Sequence, residues 1–136
     1  MSHPQHYRLL LVDDDPAFRQ TLCAIFQPFF VLIEAGSGEE AVDLVERQPV
    51  DIVLLDMHMA ELTGLETLII IKSIYVVAPC ILITADVTDE LRQTASDADA
   101  FSVLHKPVSK VELVTTVSTA MEECYDDRDI AAALLN

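Results

Sequence analysis

The stretch LLLVDDDPAF, residues 9–18, places four apolar residues directly before three consecutive aspartates. The apolar residues do not alternate with polar ones, so they predict a strand buried on both faces, which is typical of a parallel sheet. The aspartates that follow, Asp13, Asp14 and Asp15, repel one another when all are ionised. We therefore expect either a bound cation or a set of capping hydrogen bonds at the end of this strand.

More short apolar runs rich in valine, isoleucine and leucine recur along the chain, at residues 31–33, 52–55, 81–83 and 101–104. Amphipathic stretches lie between them, and the first begins at Pro16, after the cap residue Asp15. Three other helix starts have the capping-box spacing, with a serine or threonine three residues before a glutamate: Ser37, Thr63 and Ser109. The polar, threonine-rich segment from Thr88 to Ser96 is predicted as the fourth helix. Strands that alternate with helices in this way predict a doubly wound α/β fold with a five-stranded parallel sheet.

The composition predicts a folded protein without a membrane span. Hydrophobic residues make up 51 % of the 136 residues, yet no run reaches the roughly 18 apolar residues of a membrane helix. The N-terminus does not resemble a signal peptide and the three cysteines are scattered, so we expect reduced thiols and a cytoplasmic protein. The net charge of −15 disfavours direct binding to nucleic acid or to an anionic membrane.

We expect one domain over residues 1–124, followed by a C-terminal tail over residues 125–136. The tail contains Ile130, Leu134 and Leu135, which could form a short apolar helical face or extend the last helix. Chain ends are commonly frayed, so an irregular tail is the preferred interpretation.

Three other predicted strands also lead into residues whose side chains can bind a ligand or take part in a reaction. Asp56 ends the third strand, Thr84 ends the fourth, and Lys106 follows the fifth. The carboxyl ends of parallel strands meet at one edge of the sheet, where α/β folds bind ligands. Clustered carboxylates with a hydroxyl and an ammonium suit Mg²⁺-dependent phosphoryl transfer, in which one carboxylate forms an aspartyl phosphate.

The motifs LLVDDDP, DIVLLDMHM, TGLE, ILITA and HKP, spread over residues 9–107, together make a specific set. The chain resembles the receiver domains of two-component response regulators, including the chemotaxis regulators. This resemblance implies a flavodoxin-like three-layer sandwich with strand order 2-1-3-4-5. That order places strands one and three side by side, so Asp13 and Asp14 are expected next to Asp56.

The resemblance also implies roles for individual residues. Asp56 is the expected phosphoacceptor, Thr84 is expected to hydrogen-bond the phosphoryl group, and Lys106, followed by a cis peptide bond, is expected to pair with it. The implied Mg²⁺ ligands are Asp13 (mainly through water), Asp14, Asp56 and the backbone carbonyl of His58. His58 and Asp86 hold positions that affect the lifetime of the phosphoryl group in this family.

The chain departs from the family pattern near the fifth strand. The family usually has tyrosine or phenylalanine three residues before the lysine, and Val103 holds that position here. Phe101 would fill it only if the alignment contained a gap, and the spacing from Thr84 to Lys106 favours Val103. We expect a weakened or altered conformational switch. Asp97 is expected to take the positive φ that ends the fourth helix.

The function predicted from this resemblance is phosphorylation-controlled binding. A histidine kinase or phosphotransfer protein would phosphorylate Asp56, and the change would reach a downstream protein through the face of helix 4, strand 5 and helix 5, where a homodimer could also form. Beyond its own phosphorylation and dephosphorylation, no enzymatic activity is expected. Two alternatives remain: a pseudo-receiver that acts as a constitutive interaction module, and an Mg²⁺-dependent aspartyl phosphohydrolase.

Overall fold

The computed structural model describes residues 7–136, which form a parallel sheet covered by helices on both faces. The strands are β1 (Arg8–Val12), β2 (Val31–Ala35), β3 (Ile52–Asp56), β4 (Cys80–Thr84) and β5 (Ser102–His105). Their order is β2-β1-β3-β4-β5, and all neighbours pair in parallel. The predicted fold class and strand order are confirmed.

The helices are α1 (Pro16–Phe26), α2 (Gly38–Arg47), α3 (Gly64–Ile74), α4 (Asp89–Asp97), α5 (Lys110–Tyr125) and α6 (Arg128–Leu135). The first five begin at a side chain that accepts a backbone N–H; the sequence predicts this for Asp15, Ser37, Thr63 and Ser109, and the structure adds Thr88. Only the cap at the start of α3 forms the complete capping box. At the start of α2 the glutamate carboxylate accepts from the N–H of Gly36 instead.

Two apolar clusters lie on opposite faces of the sheet, because successive strand side chains point to opposite sides. In β1, Leu9 and Leu11 join the cluster formed with α1, α5 and α6, and Leu10 and Val12 join the cluster formed with α2, α3 and α4. These four side chains are at most 1 % exposed. The sandwich therefore has three layers, and the carboxyl ends of its strands lie at one edge of the sheet, between the two layers of helices.

The C-terminal tail forms the short separate helix α6, which was one of the two helical alternatives, and the preferred interpretation of an irregular tail is wrong. Asp126 takes a left-handed conformation with φ of 51° and ends α5, and the Asp127 side chain caps α6. Leu134 is buried in the apolar cluster that includes α1 and α5, and Ala131 is also buried. The Ser118 hydroxyl of α5 donates to the Ala131 carbonyl at 2.8 Å. The apolar residues of the tail are spaced to bury one helical stripe against α5, and this burial stabilises a helix too short to persist alone.

The end of α4 also differs from expectation. Asp97 is the last helical residue, and Asp99 takes the positive φ, at 69°. An aspartate still fills the left-handed position, as its short polar side chain allows, but two residues later than predicted. No helix that the structure describes within residues 7–136 is long and apolar enough to cross a membrane.

Candidate functional site

Three carboxylates converge at the carboxyl ends of β1 and β3, which are neighbours in the sheet. Asp13 and Asp14 follow β1 and Asp56 ends β3, and one oxygen from each lies within 4.8 Å of the others. Asp13 and Asp56 are 2 % and 5 % exposed, whereas Asp14 is exposed. The predicted acidic cluster is therefore present, with two buried members and one member open to solvent.

The surroundings of Asp13 suit a cation. Its Oδ1 atom accepts the Asp15 N–H at 2.8 Å, but its buried Oδ2 atom has no hydrogen-bond partner. Burial raises the pKa of Asp13, the bond from Asp15 opposes that rise, and the charge of Asp56 adds to it. An unpaired buried acceptor in a native structure commonly marks a place for an ion. Carboxylate oxygens are the ligands that Mg²⁺ prefers, so these residues fit that ion.

Lys106 provides the positive charge in this cluster. Its Nζ atom donates to Asp56 Oδ1 at 2.8 Å and lies 3.6 Å from Asp13 Oδ2, which is too long for a hydrogen bond. Burial lowers the pKa of Lys106, but the hydrogen bond to Asp56 and the charge of Asp13 outweigh it and raise the pKa overall. The side chain therefore stays an ammonium at neutral pH. The peptide bond between Lys106 and Pro107 is cis, as the resemblance implies.

The hydroxyl of Thr84 lies at the same edge but contacts other partners. Thr84 is fully buried; its Oγ1 atom accepts the Asp86 N–H at 3.1 Å and lies 3.3 Å from Nε2 of His58. The same His58 nitrogen lies 3.1 Å from a carboxylate oxygen of Asp86. The predicted residues at the mouth of the site, His58 and Asp86, thus contact each other and the threonine. The proposed ligation of a metal by the His58 carbonyl stays a prediction.

A glycine holds the loop after Asp56 close to the start of α3. A Cβ atom at Gly64 would lie 2.3 Å from the Asp56 carbonyl oxygen and 2.8 Å from the Cα of Met57. The Gly64 N–H also donates to the Met57 carbonyl at 2.9 Å. The glycine of the TGLE motif is therefore needed for close backbone approach, and it fixes the position of the loop that follows Asp56.

The strand register decides which residue holds the switch position. Val103 pairs with Leu82, and the pairing continues without a gap to Thr84. Val103 packs against the cluster on the α4 side of the sheet, whereas Phe101 packs against the opposite cluster. Val103 thus occupies the position three residues before Lys106, and no aromatic ring lies there.

Two residues at the start of α1 contact the site and were not singled out from the sequence. The guanidinium of Arg19 donates to the Asp13 carbonyl at 2.6 Å and pairs with Glu34 at 3.1 Å. The ring of Phe18 lies below the Lys106 ammonium, with 4.5 Å between Nζ and the ring centroid. Their position in the sequence could have identified them. A helix that follows β1 directly must begin at the edge where the aspartates lie, so its first residues are close to the site.

Comparisons with known proteins agree on one family. A family model described as the response regulator receiver domain matches residues 9–118. The transcriptional regulatory protein GlrR of Escherichia coli K12 is 34 % identical over 125 residues, which cover 90 % of this chain and 28 % of that protein. PdtaR of Mycobacterium tuberculosis H37Rv is 31 % identical over 116 residues, covering 84 % of this chain and 56 % of that protein. The chain spans about a quarter to just over half the length of these relatives.

Solved structures show the same similarity. A chain of the CheX–CheY–BeF3–Mg²⁺ complex from Borrelia burgdorferi matches with a TM-score of 0.80 and 28 % identity, over 85 % of this chain and 89 % of that chain. The signal receiver domain of an HD domain-containing protein from Pseudomonas fluorescens Pf-5 matches with a TM-score of 0.83 and 26 % identity. That match covers 90 % of this chain and all of the other.

Proposed function

This chain belongs to the receiver domains of two-component response regulators, and we propose that Asp56 accepts a phosphoryl group from a histidine kinase or a phosphotransfer protein. The observation that carries the proposal is the pairing of a nearly buried carboxylate with an ammonium, 2.8 Å from Lys106 Nζ to Asp56 Oδ1, beside two further aspartates. The contact with Lys106 distinguishes Asp56 from Asp13, whose Oδ2 atom lies 3.6 Å from the same ammonium without a hydrogen bond, and this difference supports Asp56 as the acceptor.

The transfer step needs an attacking oxygen and positive charge around the phosphorus. An oxygen of the Asp56 carboxylate attacks the phosphorus, the P–N bond to the donor imidazole breaks, and its electron pair returns to the ring nitrogen. Lys106 offsets the negative charge on the phosphoryl oxygens, and the Thr84 hydroxyl donates to one of them. Both groups lie at the carboxyl edge of the sheet, on the strand beside β3 and directly after β5.

Mg²⁺ is the proposed cofactor. Asp13, Asp14, Asp56 and the His58 carbonyl would hold it, and the bound ion would supply positive charge that lowers the repulsion between the carboxylates and the incoming phosphoryl group. The unpaired Oδ2 atom of Asp13 supports this assignment. The similar Borrelia structure is a complex that includes BeF3 and Mg²⁺, which also supports it.

Phosphorylation is proposed to change the surface formed by α4, β5 and α5. The Thr84 hydroxyl contacts His58 and the Asp86 N–H, and we propose that it moves toward the phosphoryl group when Asp56 is phosphorylated. That movement would shift the loop before α4 and favour a second conformer. Val103 has a smaller side chain than the family's usual aromatic residue, so less movement is expected at β5. A downstream protein, or a second copy of the chain, is the proposed reader of this surface.

The first experiment is intact mass spectrometry after incubation with acetyl phosphate, with and without Mg²⁺. We expect the parent protein to gain one phosphoryl group only when Mg²⁺ is present, and the Asp56→Asn variant, checked for folding by circular dichroism, to gain none. Equal labelling of that variant would show that Asp56 is not the acceptor. A folded parent that neither labels nor binds Mg²⁺ would indicate a constitutive interaction module, and release of many phosphates per protein would indicate a phosphohydrolase.

A further inference from the structure

The ring of Phe18 covers one side of the Lys106 ammonium at the rim of the site. We propose that Phe18 is a positioning residue: its aromatic face holds the Lys106 ammonium beside Asp56 while the charge on Asp56 changes. This inference rests on the proposed function, since it concerns the same phosphoryl transfer.

The geometry places Lys106 between two anionic partners and one aromatic partner. Its Nζ atom lies 2.8 Å from Asp56 Oδ1, 3.6 Å from Asp13 Oδ2 and 4.5 Å from the centroid of Phe18. The lysine side chain is still 27 % exposed, so water reaches it from the remaining side. An open cavity of about 470 Å³ lies there, and its lining residues are Asp15, Phe18, Ala85, Lys106, Pro107 and Val108.

A lysine at such a rim has an alternative position in solvent. Its ammonium is a strongly hydrated charge on a flexible four-carbon stem, so it can swing outward while the stem stays on apolar surface. An aromatic face within about 6 Å attracts the cation through the ring quadrupole, more strongly where water is partly excluded. Phe18 lies in the first turn of α1, which a proline and an aspartate cap hold in place. The ring therefore opposes the outward movement from a fixed position.

The contribution of the ring matters most during the reaction. In the resting protein the ion pair with Asp56 alone could hold Lys106 in the site. When Asp56 forms the acyl phosphate, its oxygen becomes part of the new P–O bond and that ion pair is lost. The attraction of the Phe18 ring does not depend on the charge of Asp56. The ring can therefore keep the ammonium close enough to meet the phosphoryl oxygens as their charge arrives.

The test compares Phe18→Leu, which removes the ring but keeps an apolar side chain, with Phe18→Tyr, which keeps the ring. The control is Phe29→Leu, because Phe29 is also partly buried against the same apolar cluster and lies after the far end of α1. Phosphorylation by acetyl phosphate in saturating Mg²⁺ is followed over a range of donor concentrations, which separates the maximal rate from half-saturation. In parallel, NMR of ¹³C-labelled lysine reports the Hε shift of Lys106, identified by its loss in Lys106→Met.

We expect Phe18→Leu to lower the maximal rate about fivefold, with little change in half-saturation, and to remove the ring-current shift of the Lys106 Hε protons. Phe18→Tyr should keep the maximal rate and the ring-current shift of the parent, and Phe29→Leu should behave as the parent. Equal maximal rates for Phe18→Leu and the parent would overturn the proposal, as would a tyrosine variant as slow as the leucine variant. A parent that gains no phosphoryl group would refute the proposed function itself, and this inference with it. If the parent is labelled, the proposed function is supported, and the comparison of the Phe18 variants then tests this inference alone.

Discussion

Replacing Asp13 with asparagine is expected to stabilise the protein in Mg²⁺-free buffer. Burial, and then the neighbouring charges of Asp56 and Asp14, raise the pKa of Asp13, so the ionised carboxylate is unfavourable in the folded state. Asparagine has nearly the same shape without the charge. Its oxygen can still accept the Asp15 N–H, which the carboxylate accepts at 2.8 Å. The variant therefore removes the repulsion and keeps the local hydrogen bond.

The size of the effect follows from two opposing contributions. The variant puts a neutral amide nitrogen in the buried, unpaired place of the charged Oδ2 atom, and the smaller desolvation cost of the neutral group favours the variant by about 2 kcal/mol. The variant loses the attraction to Lys106, 3.6 Å away on a side chain that is 27 % exposed, and this loss is worth about 0.5–1 kcal/mol. We expect a net rise of about 1 kcal/mol in the free energy of unfolding. The corresponding rise in the thermal midpoint is about 3 °C.

Urea unfolding in EDTA, repeated with Mg²⁺, measures this effect. The control is Asp14→Asn, which changes the exposed member of the cluster and should alter stability in EDTA by less than about 0.5 kcal/mol. Added Mg²⁺ should stabilise the parent but neither variant, because a ligand stabilises only the folded state that binds it. A fall in stability of Asp13→Asn in EDTA would refute the reasoning, since it would show that the carboxylate is well compensated without a metal.

Two further substitutions test the close backbone approach and the last helix. Gly64→Ala should lower the free energy of unfolding by about 1–3 kcal/mol in urea titrations, because its Cβ would lie 2.3 Å from the Asp56 carbonyl oxygen. Gly36→Ala is its control, since a Cβ there meets nothing closer than 3.5 Å; equal losses from both would contradict the proposed steric cause. Leu134→Ala, at 4 % exposure, should cost about 2–3 kcal/mol by the same assay. Leu135→Ala, at 60 % exposure, should cost less than about 0.5 kcal/mol, and a similarly small effect at Leu134 would show that α6 does not pack against α5.

Local sequence patterns were enough to predict the strands and helices, and the edge of the sheet at which the functional residues lie. Uninterrupted apolar runs such as residues 9–12 predict strands with both faces covered, and parallel strands bring their carboxyl ends to one edge. The Thr63 cap is determined within a few residues of the chain, so it could be predicted correctly. The error over the C-terminal tail had a different origin. The stripe containing Leu134 was visible in the sequence, but whether α5 offers a surface to bury it is not a local property.

The sequence by itself determined the fold class, the strand order through its family motifs, and which charged residues lie at the ends of strands. The tertiary structure decided how those residues meet. Lys106 contacts Asp56 across 50 positions of the chain, and the Phe18 ring approaches Lys106 from helix α1. The Thr84 hydroxyl contacts His58 and the Asp86 N–H, and the Oδ2 atom of Asp13 is left without a partner. Burial, hydrogen-bond partners and side-chain direction depend on strand register and on packing between distant segments, and neither is contained in any short stretch of sequence.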